Sequence, residues 1–169
     1  MRWVLLLRAV NVGGNNKVPM KDLKQLLEDF GHTDVKSYLN SGNATFESSK
    51  RSAKALAEEV EKGLHRSLGV SVRACVRSEQ EIEQTLERLP DLPGYVTISV
   101  LFDRPKAAAL KAFLETDWSP ETVAGDDQAI YIGYVSAAKS KLTITKLEKA
   151  LGVSSTARTP ATLRKMLPA

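Results

Sequence analysis

Two short polar stretches hold most of the side chains from which a binding site can be built. The first runs Arg8, Asn11, Gly13, Gly14, Asn15, Asn16 and Lys17, just before Pro19; the second is Asn40, Ser41, Gly42 and Asn43. Paired glycines accept φ > 0, so successive N–H groups at Gly13 and Gly14 can turn to one side as an anion-binding nest. Val18 falls at the expected N-cap of the next helix, and valine has no oxygen to offer the first N–H groups. Those donors are left for water, another loop or an anion. Arg8 and Lys17 add charge, while the asparagines and Ser41 add neutral hydrogen bonds. Such a donor set suits a phosphate or a carboxylate. It is not a Walker loop, because no Gly-Lys-Ser/Thr closes it, and it is not G-x-G-x-x-G. An architectural reading competes, since asparagine and glycine also satisfy one another's backbone across tight turns. That reading weighs more for Asn16, Asn40 and Gly42, and the binding reading weighs more for Arg8, Asn11 and Lys17.

Other reactive residue types carry less. Cys75 stands among alternating valines and reads as a packed thiol. His32 follows Gly31 and reads as a solvated turn residue; His65 reads as a helix flank. Asp126 and Asp127 suit a hairpin turn for backbone reasons. Glu79, Glu81, Glu83 and Glu87 read as a solvated helix face. Ser140 is placed to cap a helix, with Lys139 and Lys141 beside it as a secondary anion contact, and Arg158 is a further candidate for the same ligand. No acid–base pair stands out, so no catalytic residue and no enzyme class are assigned. Two histidines and one cysteine are too few for a metal site, and no cofactor is called for.

The elements that must position these residues follow from hydrophobic spacing. Residues 3–7 form an unbroken apolar run, Trp3-Val4-Leu5-Leu6-Leu7, expected as a strand buried on both faces. Met20, Leu23, Leu26, Leu27 and Phe30 recur at helical spacing, and Gly31 ends that helix. Residues 35–39 and 44–47 read as strands around the 40–43 turn. Leu56, Val60, Leu64 and Leu68 stripe a second helix over 53–68, and 70–76 reads as a half-buried strand. Residues 1–77 therefore give βαββαβ, the order of a ferredoxin-like unit. Ser78 and Glu81 form a capping box for a helix to residue 89. From residue 95 the order βαββα recurs: a strand over 95–102, a helix over 105–114, a hairpin over 123–134 and a helix over 142–151. Thr159 caps a short helical tail. The expected fold is thus α+β: a ferredoxin-like subdomain, 1–77, and a similar subdomain, 78–169, packed as one compact unit.

In a ferredoxin-like sheet of order 4-1-3-2, the loop after the first strand and the turn between the second and third leave the same edge. The 8–19 and 40–43 stretches are then neighbours. This expectation makes them one candidate site.

Composition bounds the partners. The chain has 169 residues, 43% hydrophobic and 26% charged, which is ordinary globular composition. No apolar run approaches the ~20 residues that span a bilayer, and 3–7 is too short for a signal-peptide core, so a cytoplasmic protein without a membrane partner is expected. The net charge of +4 is uneven: residues 1–77 carry +5, 78–138 carry −7 and 139–169 carry +6. The basic ends suit a phosphate-bearing ligand, although pairing of the acidic middle with the basic tail explains them as well.

The motifs are also recognisable. Leu6-Leu7-Arg8-Ala9-Val10-Asn11-Val12-Gly13-Gly14-Asn15-Asn16-Lys17-Val18-Pro19-Met20, then Tyr38-Leu39-Asn40-Ser41-Gly42-Asn43 with Phe46, then Ser140-Lys141-Leu142-Thr143 with Leu147-Glu148 and Leu151-Gly152, resemble the three motifs of a mostly bacterial family. That family is called domain of unknown function 1697, and the resemblance runs nearly end to end. It implies a duplicated ferredoxin-like α+β fold and supplies no reaction. One departure stands near the C-terminus: the family's Thr-x-Arg-Asn-Trp is Thr156-Ala157-Arg158-Thr159-Pro160 here. Arg158 is kept, and a role resting on the Asn-Trp pair does not carry over.

Two functions compete with a small phosphate-bearing ligand or nucleotide. RNA binding on an open sheet needs stacking aromatics on the first and third strands. Only Trp3 and Phe46 are available, on strands expected to be covered, so RNA is left to the basic loop edge. A protein–protein interaction module would need an exposed apolar stripe, and none is evident.

Overall fold

The computed structural model describes residues 1–8, 17–38, 42–136 and 139–169. The chain divides into two units, Met1–Gln84 with Lys165–Ala169, and Thr85–Arg164.

The first unit contains β1 (Arg2–Leu7), α1 (Met20–Asp29), β2 (Thr33–Tyr38), β3 (Asn43–Glu47), α2 (Ala53–Leu68) and β4 (Ala74–Ser78). Its sheet has the antiparallel order β2-β3-β1-β4, the ferredoxin-like arrangement. Opposite residues share a face, so Trp3 faces with Phe46, Leu5 with Ala44 and Val76, and Leu7 with Ala74. This set packs with Leu23 and Leu27 of α1 and Leu56, Val60 and Leu64 of α2 to form the first core. Burying each such leucine contributes about 1.5–3 kcal/mol relative to exposure. Val4 and Leu6 point to the other face and are also fully buried. The unbroken apolar run of β1 is therefore buried on both faces, as expected. Trp3 and Phe46 lie in this core, which closes the sheet as an RNA platform.

Helix ends follow local chemistry. Ser52 caps α2 by accepting from the Ala55 N–H, and Gly69 closes it at φ 68°. Ser78 and Glu81 form the expected reciprocal box, opening α3 (Glu79–Glu87). Helix α1 differs in detail: its N-cap is Pro19, one residue later than the expected Val18, and no side chain caps it. Strand β4 is shifted from the expected 70–76. Its ladder is set by β1, whose Trp3 pairs with Ser78 and Leu7 with Ala74, so Val70 and Val72 precede it. Cys75, opposite Leu6, is buried.

The second unit repeats the plan. After α3, which spans the boundary between the units, come β5 (Tyr95–Leu101), α4 (Ala107–Glu115), β6 (Thr122–Gly125), β7 (Ala129–Tyr134), α5 (Ile144–Leu151), β8 (Ser155–Arg158) and α6 (Pro160–Lys165). The order β6-β7-β5-β8 matches the first sheet position by position. Leu101, Ile130 and Ile132 pack with Phe113 of α4 and Leu147 and Leu151 of α5. The repeat is completed by β8, a strand that the sequence reading passes over on its way to Thr159, which does cap α6. Helix α5 starts at Ile144 with Thr143 as its cap; Ser140 instead accepts from the Leu142 N–H.

Candidate functional site

The site is built on the edge of the first sheet where β1 ends. The Leu7 N–H donates to the Gly42 carbonyl at 2.8 Å, and the Arg8 N–H donates to the Arg73 carbonyl at 3.0 Å. These two bonds join the end of β1 to the start of β3 on one side and the approach to β4 on the other. Gly42 takes φ 71° there, a left-handed conformation that glycine adopts without a Cβ penalty. Asn43 is fully buried, and its Nδ2 donates to the Tyr38 carbonyl at 3.0 Å. That bond ties the end of β2 to the start of β3, so Asn43 holds the turn together. Lys17 is exposed, just ahead of the uncapped start of α1.

Of the sequence-predicted site residues, Arg8, Gly42 and Asn43 lie at this edge, and Lys17 stands just before α1. Asn11, Gly13, Gly14, Asn40 and Ser41 lie outside the described residues. Lys141 and Arg158 belong to the second unit. Arg158 pairs with Ile98, three positions along the ladder from the pair of Leu101 with Ser155. Its Nη1 donates to Thr156 Oγ1 at 2.6 Å and to the Ala157 carbonyl at 2.9 Å. Lys141 is exposed in the segment between β7 and α5.

The duplication supplies an internal comparison. In the second unit, the Leu101 N–H donates to the Gln128 carbonyl at 3.0 Å and the Phe102 N–H to the Ser154 carbonyl at 2.9 Å. These are the same two bonds on a second edge. The chemistry there is opposite. Arg8 is matched by Phe102, and the turn carries Asp126 and Asp127. Asp126 Oδ1 accepts from the Gln128 and Ala129 N–H groups, the backbone role expected of it. Arg104 pairs with Asp127 at 3.5 Å and Arg88 with Asp126 at 3.4 Å. Among the described residues, the first edge thus carries Arg8 where the second carries Phe102 and a charge-paired acidic turn.

Three polar features escaped the sequence reading. His32 is 5% exposed rather than solvated: its ring stacks on Phe46 with centroids 4.7 Å apart, and Nε2 lies 3.1 Å from Glu59 Oε2. Its burial depends on Glu59, 27 residues away, which no local pattern announces. Arg2 bridges Asp34 and Glu79 and donates to Thr45 Oγ1, so Glu79 is engaged rather than purely solvated. The hydrogen bond from Arg2 holds the Asp34 carboxyl below its ordinary range. Glu121 is buried and accepts from the Val135 and Ser136 N–H groups at 3.0 and 3.2 Å. Burial works against its charge, yet the Ser140 hydroxyl and these two N–H groups hold its pKa below the usual carboxylate value. It tethers the segment that follows β7. Among the described residues, no group of three or more His, Cys, Asp or Glu is placed to hold a metal ion. Among the same residues, no helix is long and apolar enough to cross a membrane.

The two sheets of matching strand order define a duplicated ferredoxin-like α+β protein. The chain belongs to the DUF1697 family, described as "Protein of unknown function", whose sequence model matches residues 1–131. Among solved structures it is similar to the conserved bacterial protein SP0830 from Streptococcus pneumoniae. That similarity has a TM-score of 0.77 at 27% identity, over 98% of this chain and 96% of the other. No curated protein matches the sequence.

Proposed function

We propose that the protein binds a small anionic ligand, a nucleotide or a phosphorylated metabolite, at the edge formed by residues 8–19 and 40–43. The observation that supports this reading is the bond from the Leu7 N–H to the Gly42 carbonyl, because it joins the strand end that leads into the first motif to Gly42 of the second. Arg8 and Lys17 are the charged contacts. The uncapped start of α1 adds backbone donors and the positive end of a helix dipole. Gly13 and Gly14 supply the nest, with Asn11, Asn40 and Ser41 orienting the ligand. Asn43 acts by shaping the turn. The contrast with the acidic edge of the second repeat supports a role for charge, since the fold alone requires none there. A cytoplasmic location goes with the reading.

The test is calorimetric titration with nucleoside phosphates, sugar phosphates and inorganic phosphate. Binding by the wild type that Lys17→Ala weakens, with an unchanged thermal midpoint, is the expected result. Absence of binding to every anion in the series overturns the proposal and leaves the loops as architecture.

A further inference from the structure

A groove of about 590 Å³ runs between the C-terminal half of α2 and the segment leading into β4. It is lined by Lys62, His65, Arg66 and Arg73, with Val72 and Glu61 among the remaining residues. Glu61 is the one carboxylate in the lining, and it is committed: Oε1 accepts from the Ala74 N–H at 2.8 Å and lies 3.5 Å from Arg73 Nε. Lys62, His65 and Arg66 are exposed and form no ion pair with any described residue. Lys62 and Arg66 are one helical turn apart, about 6 Å along the axis, the scale of one phosphate step in an extended single strand. Val72 is buried beneath them, and the aliphatic stems of the cations extend this apolar surface. The His65 ring adds a flat face on which a base can stack. A cationic track beside flat, apolar surface is how sequence-tolerant single-strand sites are made.

We propose that this groove binds a single strand of nucleic acid through its phosphate backbone. It uses the flank of α2, so it does not need the aromatic sheet platform that the fold closes. Arg73 borders both this groove and the loop edge, but the small-ligand reading of that edge neither supports nor requires the proposal. Cations in the last turn of α2 also complement the helix dipole; that role alone predicts a change in stability and none in binding.

The experiment is fluorescence anisotropy of labelled ten-nucleotide oligo-uridylate and oligo-thymidylate with the full chain across a salt series. Wild type is expected to bind with strong salt dependence. Lys62→Glu and Arg66→Glu should each weaken binding at least fivefold and reduce the salt slope by about 0.7 per lost phosphate contact. Lys54→Glu, on α2 but about 12 Å further along the axis, makes the same charge change and should stay within twofold. Lys62→Ala and Arg66→Ala, checked by circular dichroism, serve if a charge reversal disturbs the helix. The proposal falls if neither oligonucleotide binds at low salt, or if the Lys62 and Arg66 variants bind as wild type does. It also falls if polyglutamate of matched charge displaces the strand equally well, since the groove would then be a surface for acidic peptides.

Discussion

A buried asparagine must spend its amide, and Asn43 spends Nδ2 on the Tyr38 carbonyl. Asn43→Ala should therefore destabilise the protein by about 1–3 kcal/mol, the usual cost of leaving a buried polar partner unsatisfied. Asn43→Asp should cost at least as much, because an ionised carboxylate cannot donate to a carbonyl. Urea unfolding midpoints check both, and a cost below about 0.5 kcal/mol would free Asn43 for a ligand. Tyr131 makes the matching case in the second unit. Its hydroxyl donates to the Thr85 carbonyl at 2.7 Å, and burial pushes its pKa up to about 12. Tyr131→Phe should cost about 1–3 kcal/mol at neutral pH by stranding that carbonyl. The folded phenol keeps its proton above the ordinary tyrosine pKa of 10.0, where the unfolded one has lost it. The wild type's advantage over Tyr131→Phe should therefore shrink as pH rises from 10 toward 12. Unfolding measured at pH 8 and pH 11 reads the sign; an advantage that grows with pH contradicts the assignment.

Elements in this chain were legible where local sequence decides them. The stripe of Leu56, Val60 and Leu64, the Ser78–Glu81 box and the Gly69 and Gly152 stops are contained within one helix each, and each formed as expected. The bond from the Leu7 N–H to the Gly42 carbonyl agrees with the strand order read from the sequence, and most of the loop cluster lies outside the described residues. Strands whose extent depends on a distant partner were not legible. β4 takes its register from β1, and β8 is a four-residue strand that exists because β5 offers it an edge. Close backbone approach is equally invisible in sequence, and Gly133 on β7 depends on it. A Cβ there would stand 2.4 Å from the Pro93 carbonyl oxygen, and one on Gly94 would stand 2.2 Å from that of Tyr134. Neither oxygen is the end of a flexible side chain, so the backbone itself must move. Gly133→Ala should destabilise by at least about 1–3 kcal/mol, the ordinary range for overpacking. Hydrogen exchange should show the loss concentrated where β7 meets β5, and unchanged protection there would refute the assigned contact.

At the scale of the whole molecule, duplication separates what the fold requires from what one copy adds. Both repeats close the same edge with the same pair of backbone bonds, so those bonds are architecture, and Arg8 at the first edge against Phe102 at the second is a difference that the fold does not require. Lys165, the last residue of α6, and the four residues after it group with the first unit, and Met166 among them is fully buried. A side chain of that size cannot be withdrawn without leaving a cavity. Met166→Ala should therefore cost about 2–5 kcal/mol, as for other large-to-small core changes, and removal of residues 165–169 should cost at least as much. The effect should appear in the first unit, read by loss of hydrogen-exchange protection in β1, the strand both of whose faces are buried. Lys165→Ala provides the control, since that side chain is exposed and its loss should stay within about 0.5 kcal/mol. If truncation after Arg164 leaves the unfolding midpoint and the protection of β1 unchanged, the last five residues contribute nothing to the first unit and its core is complete without them.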